Sequence, residues 1–285
     1  MITEKALRIR PLIVALFAVV TIWSGTSVTA KADGLVNQIK QRGEIIVGTE
    51  ADFEPFAFRV DGKILGYDKD ILDLVAEKLG VKVTLVDLPF QGLLPGLLSK
   101  KFDLKGSSTT ITPERAAKFA FTRPTGTGVT MILARLKDDS IKEPKDLNGK
   151  VVATQLASSP QPKAERFGER LKAEGGAGFE LKLFSSFPEC NVALASGQVD
   201  AIAVPSTTAA LLMKKLPDTF KIIGTIENPV YLAWVVRPED GDLRDFINAQ
   251  IGELADSGKL KELQMKWFGY EMELPAHGYL PEGAK

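Results

Sequence analysis

The run Gly106-Ser107-Ser108-Thr109-Thr110 stands just ahead of Thr112-Pro113-Glu114-Arg115. Thr112 can cap a helix, Pro113 suits its first position, and Glu114 favours the positive end of its dipole. Small hydroxyl residues at a helix start bring backbone N–H and side-chain O–H groups together, which suits an anion. Arg115, in the first turn, adds a guanidinium fork fitted to a carboxylate. The same loop serves equally as a plain helix cap, and the residues alone leave both readings open.

Glu50 and Phe53 follow one strand signal, and Phe90 follows another. α/β folds gather ligand contacts beyond strand ends. Two aromatics beside an anion site make a pocket with apolar walls and few polar groups, although a loop aromatic also serves to cover a hydrophobic edge. Glu50 is the group best suited to acid–base work in an enzyme. A single Cys (Cys190) and a single His (His277) exclude multi-cysteine zinc and iron–sulfur sites, and they remove most zinc hydrolases. No Gly-x-Ser-x-Gly elbow or phosphate-binding glycine loop is present. No cofactor and no metal are therefore expected, and His277, in a trailing segment, is expected to be solvated.

The elements that must position these residues alternate. Ile45–Gly48, Val83–Val86, Val151–Thr154, Phe179–Phe184, Asp200–Val204, Phe220–Ile223 and Tyr231–Val236 read as strands. Between them, residues 68–79, 90–98, 161–174, 189–196 and 207–216 read as helices, and residues 242–256 and 260–268 close the pattern with two more. Gly80 sits where a left-handed residue would end the first helix. Alternation of this kind predicts an α/β fold with mostly parallel sheets. The charged stretch Arg135–Lys150 reads as a crossing between two lobes, and Glu227-Asn228-Pro229 as the return. Residues 33–134 and 229–270 are then expected to form the first lobe and residues 135–228 the second. Residues 271–285 are expected to form a mobile tail.

Residues 1–32 run from basic (Lys5, Arg8, Arg10) through an apolar stretch, Pro11–Trp23, to small residues. That is the layout of a secretory signal peptide, with cleavage expected after Ala30 or Ala32. Without it the chain keeps 32 basic and 35 acidic residues, a formal charge of −3. A mildly acidic surface argues against nucleic acid or anionic lipid as the main partner. The location expected is the periplasm, and there the lone Cys190 is expected to be buried and inert.

The segments VGTEADFEPFAF, GKILGYDKDILDLVAEKLGVKVTLV, FQGLLPGLLSKKFDL, SSTTITPERAAKFAFT and ASGQVDAI occur in an order and spacing that resemble the extracytoplasmic solute-binding proteins of ABC importers. The polar amino-acid subclass is the most similar, over about Leu35 to Gly269. The resemblance implies a two-lobed type II periplasmic binding protein fold with two hinge crossings. It also implies a monomer without enzymatic activity that closes on a small carboxylate-bearing ligand and meets an ABC permease. It implies that Phe53 and Phe90 sandwich the ligand. Ser108, Thr110 and Arg115, with Ser107 beside them, would hold its α-carboxylate, Ser158 and Ser159 would contribute from the second lobe, and Glu50 would reach its far end. Cyclohexadienyl dehydratases share this scaffold and give the enzymatic alternative.

Two departures bear on the ligand. Ala157 and Pro160 flank the second-lobe hydroxyls where the family has a Gly before them. Pro205 stands where the family carries an acid for the ligand's α-ammonium. A cation left unpaired in a dry cleft costs several kcal/mol. The expectation is a ligand with a substituted or missing amine, such as an opine, with Ser206 serving its polar groups. The alternative is an ordinary polar amino acid with Glu50 replacing the missing acid.

Overall fold

The computed structural model describes residues 34–285, so the expected leader and both cleavage points, Ala30 and Ala32, lie outside the described residues. In chain order the elements are α1 (Leu35–Arg42), β1 (Glu44–Thr49), β2 (Asp52–Phe53), β3 (Ala57–Val60), β4 (Lys63–Leu65), α2 (Tyr67–Leu79), β5 (Lys82–Asp87), α3 (Phe90–Leu98), β6 (Leu104–Thr110), α4 (Pro113–Ala116), β7 (Ala120–Phe121) and β8 (Gly126–Arg135). A 3-10 turn at Pro144–Leu147 leads to β9 (Val151–Gln155), α5 (Pro160–Ala173), β10 (Glu180–Phe184), α6 (Phe187–Ala195), β11 (Ala201–Pro205), α7 (Ser206–Lys215), β12 (Phe220–Val236), α8 (Gly241–Asp256) and α9 (Lys259–Trp267).

The strands run β10-β9-β11-β8-β12-β6-β1-β5 across one sheet, with β7 paired to β12. Each end of that sheet is parallel: β5, β1 and β6 at one end, β10, β9 and β11 at the other. The central strands β8 and β12 are antiparallel to each other and to their neighbours, so they tie the two parallel lobes together. The fold is the expected two-lobed α/β arrangement. Gly80 ends α2 in the left-handed conformation (φ 72°), where its N–H reaches the carbonyls of Ala76 and Glu77.

Several local expectations change. The chain passes toward the second parallel end within β8 itself, which pairs with β12 from Gly126 to Arg135 and gains β11 on its other side only from Thr130 to Ala134. The stretch 136–150 instead turns at the far edge, where Ile141 and Leu147 are fully buried among Ile132, Val152 and Phe167. Its charges are solvated and its two apolar residues anchor it, which makes it a packed turn rather than a crossing. The two strand signals around Glu227-Asn228-Pro229 belong to one long strand. The register between β12 and β8 shifts between Ile226 and Val230, and Glu227 has φ 65°. Pro229 has no N–H to give a ladder, so the strand bulges there and then resumes. The tail is docked: Met272 is buried and takes a hydrogen bond from the Thr127 N–H on its sulfur, and the Lys285 N–H donates to the Ala116 carbonyl. His277 is exposed, as expected.

Cys190 lies in the main core with no exposure, and burial, with Glu189 beside it, pushes its thiol up to about 12. A thiolate is the reactive form. The native protein is expected to leave a thiol-specific chromogenic reagent unreacted at pH 8 and to titrate one thiol only in denaturant. Rapid reaction of the native protein would contradict the assignment.

Candidate functional site

A buried carboxylate network sets the floor of the site. Asp68, in the first turn of α2, is 1 % exposed. It accepts from the Ser108 N–H at 2.7 Å, the Ser108 O–H at 2.9 Å and the Trp234 indole N–H at 2.9 Å. Those donors hold strand β6 at a fixed height under the cleft. Burial still raises the Asp68 carboxyl to about 6. Because the Ser108 O–H is given to Asp68, the hydroxyl oxygen faces the cleft as an acceptor.

Above this floor one cavity is lined by Glu50, Phe53, Phe90, Ser108, Thr110 and Arg115 from the first lobe, and by Ser158, Ser159 and Pro205 from the second. Ser107 and Ser206, both expected at the site, stay off its wall. Side chains alternate along a strand. Ser108 and Thr110 therefore face the cavity while Ser107 shares the opposite side with Lys105 and Thr109. Ser206 starts α7 and uses its hydroxyl oxygen to accept the Val129 N–H at 3.3 Å.

The aromatic walls are pre-set. Phe53 stacks on Phe56 at 4.7 Å between centroids and tilts toward Phe187 at 5.9 Å. Phe90 carries cations over its ring: Lys105 Nζ lies 4.8 Å and Arg115 Cζ 5.4 Å from its centroid. α4 is a single turn, capped by the Thr112 hydroxyl on the Arg115 N–H. With so short a helix, the capacity for an anion rests on the Arg115 guanidinium. One of its N–H groups donates to the Thr110 carbonyl at 3.1 Å and another to the Ala157 carbonyl at 2.9 Å. Burial lowers its pKa only to about 10, so it stays cationic at neutral pH.

Glu50 is 3 % exposed. Its Oε1 accepts from the Gln155 side-chain amide, and its Oε2 has no hydrogen-bond partner. Burial drives the carboxyl up to about 7, Gln155 and Lys105 oppose the rise, and Asp52 and Asp87 add to it. Lys105, fully buried, donates to the Ser107 carbonyl at 2.8 Å and to the Thr109 hydroxyl, and burial brings its ammonium down to about 7.

Gln155 and Arg115 span the cleft through Glu50 and Ala157, and Lys215 adds an ion pair to Glu54 at 2.6 Å at its rim. Sequence reasoning missed Lys105, Gln155, Lys163 and Phe187, the last three of which line the cavity. A lysine inside an apolar strand signal (Leu104-Lys105-Gly106) was the visible clue to the first.

Ala157 sits at φ 61°, a left-handed conformation for a residue with a Cβ. That strain amounts to about 1–2 kcal/mol, against about 0.5–1 kcal/mol for a glycine's extra freedom in the unfolded chain. Ala157→Gly is therefore expected to raise stability by up to about 1 kcal/mol. Thermal denaturation of the unliganded protein checks this, and a lower melting temperature would refute it.

Residues 45–270 match the sequence pattern of bacterial extracellular solute-binding proteins, family 3. Among curated proteins, the L-cystine-binding protein TcyJ of Escherichia coli K12 is 31% identical over 256 residues, covering 89% of this chain and 93% of its own. The arginine-binding extracellular protein ArtP of Bacillus subtilis is 31% identical over 227 residues, covering 79% and 86%. Among solved structures, a P235GK mutant of the arginine-binding protein ArgBP from T. maritima superposes with a TM-score of 0.74 at 36% identity, over 82% of this chain and 99% of that one. An ancestral amino acid-binding protein, AncCDT-1, described as a precursor of cyclohexadienyl dehydratase, gives 0.75 at 31% identity over the same shares. With a matching architecture and sequence pattern, the chain belongs to the bacterial extracellular solute-binding proteins, family 3.

Proposed function

We propose that the chain, exported and freed of its leader near Ala30 or Ala32, captures a free amino acid in the cleft between its lobes. It works as a monomer in the periplasm and presents the closed form to the permease of an ABC importer. The observation that carries this reading is the pairing, in one cavity also lined by Phe53 and Phe90, of the half-buried Arg115 fork with the buried, unpartnered Glu50 Oε2. A carboxylate suits the first and an ammonium the second, which is the charge pattern of an α-amino acid. Phe53 and Phe90 would hold its aliphatic part, and Thr110, Ser158 and Ser159 its remaining polar atoms.

An N-substituted ligand was the expectation drawn from Pro205. An ordinary amino acid is better supported. Glu50 brings an acid to the same cavity as Pro205, and the relatives named above bind cystine or arginine. Closure is favoured because ligand contacts span both walls, and the partner reads the shifted population. Glu50 also has the raised carboxyl that a dehydratase acid would need, and AncCDT-1 ties this fold to such an enzyme. Calorimetry against the common amino acids, with the bound ligand recovered and weighed, tests both. Tight binding of a free amino acid returned unchanged supports capture. Binding of opines alone, or recovery of a dehydrated product, would overturn it.

A further inference from the structure

Lys163 lies one turn into α5, on the second-lobe side of the cavity. It is 5 % exposed, and its ammonium has no hydrogen-bond partner. The carboxylate whose charge bears on it, Glu227, is already taken by Arg166 at 2.7 Å, and the Arg166 charge repels Lys163 in turn. An ammonium kept from water without an acceptor is costly, so its position calls for an anion that the protein does not supply. The start of α5 sharpens the point. Positions 160 and 162 are prolines, so two of the amide donors that a helix start offers an anion are missing. The Lys163 side chain places positive charge where those amides cannot.

Among the described residues that line the cavity, Arg115 and Lys163 are cations and Glu50 is the one acid, while Lys105 against Phe90 and Asp68 beneath Ser108 lie off the wall and already have protein partners. A plain zwitterion would satisfy Arg115 and Glu50 and leave Lys163 buried and unpaired. We infer that Lys163 receives a second carboxylate, so that the ligand is an amino acid carrying two carboxylates and one ammonium, such as aspartate or glutamate. This rests on the amino-acid reading above and deepens it. Pro205 fits the same scheme. An acid at that position would draw Lys163 or the ligand ammonium to itself and cancel the charge that selects the second carboxylate.

The test is calorimetry of the intact protein at pH 7.5 with L-aspartate and L-glutamate against L-asparagine, L-glutamine, L-arginine and the net-neutral L-cystine. Aspartate or glutamate is expected to bind tightest, and to exceed its amide by roughly tenfold or more, the size of one charge-assisted hydrogen bond. Lys163→Met should weaken the tightest binder by a similar factor, and Lys163→Arg should restore much of the loss. Neutral amino acids should change less than about threefold, as expected where no charge partner is removed. Melting temperatures of the unliganded variants show that they fold, and the wild-type comparison stands without them. Tightest binding of a neutral or basic amino acid, or an unchanged preference in Lys163→Met, would overturn this inference and leave amino-acid capture standing. Binding of no amino acid at all would overturn both.

Discussion

Arg115→Ala is expected to lower ligand affinity by 30-fold or more, about 2–5 kcal/mol, the usual loss when one member of a desolvated charge pair is removed. The guanidinium has five N–H donors, and two of them are spent on the carbonyls of Thr110 and Ala157. Those two bonds fix the plane of the fork across the cleft, and the remaining donors are free for an acid. The ring of Phe90, 5.4 Å from Cζ, stiffens the same geometry. Arg115→Lys should recover little of the loss, because a point charge cannot keep both carbonyl contacts and a bidentate grip at once. Titration calorimetry with the tightest amino acid measures both variants. Affinity within threefold of wild type in Arg115→Ala would remove the carboxylate from this residue.

The outline of the cleft was readable because strand and helix periods are local properties. Ile45–Gly48 and Val83–Val86 needed only their β-branched run and flanking turns, and Gly80 needed only its left-handed position. What escaped reading depended on partners far along the chain. Lys105 and Lys163 look like solvated charges until the fold buries one against the Phe90 ring and the other against the cavity. Gln155 and Phe187 carry no local mark, since their roles arise when one reaches Glu50 and the other Phe53. Ser107 and Ser108 are adjacent and alike, and only the phase of β6 against Asp68 decides which faces the ligand. The hairpin of β3 and β4 was legible in principle, because Asp61-Gly62, both at positive φ, is a turn-forming pair. Long-range electrostatics, in contrast, has no sequence period.

Glu50→Gln separates the ammonium contact from everything else through its pH dependence. In the unliganded protein burial holds the Glu50 carboxyl at about 7, while an ammonium partner requires the ionised form. Ligand affinity should therefore fall as pH drops below about 7, approaching tenfold per unit, since one pKa unit is about 1.4 kcal/mol. Glu50→Gln should bind about 30-fold more weakly at pH 8, as when a buried charge loses its partner. Its affinity should then be nearly flat from pH 5 to 8. Stability runs the other way. A carboxyl whose folded pKa lies above its unfolded value of 4.5 favours folding fully below that value, and the contribution is lost as pH rises through about 7. The stability of the wild type relative to Glu50→Gln should thus decline between pH 4.5 and 7 while its affinity advantage grows. Lys105 and Asp68 titrate in both proteins, so the difference between them isolates Glu50. Calorimetry and thermal melts across that range supply both curves. Parallel affinity profiles for the two proteins would show that the ligand's ammonium rests elsewhere, and opposed slopes would place it on the oxygen that the fold leaves without a donor.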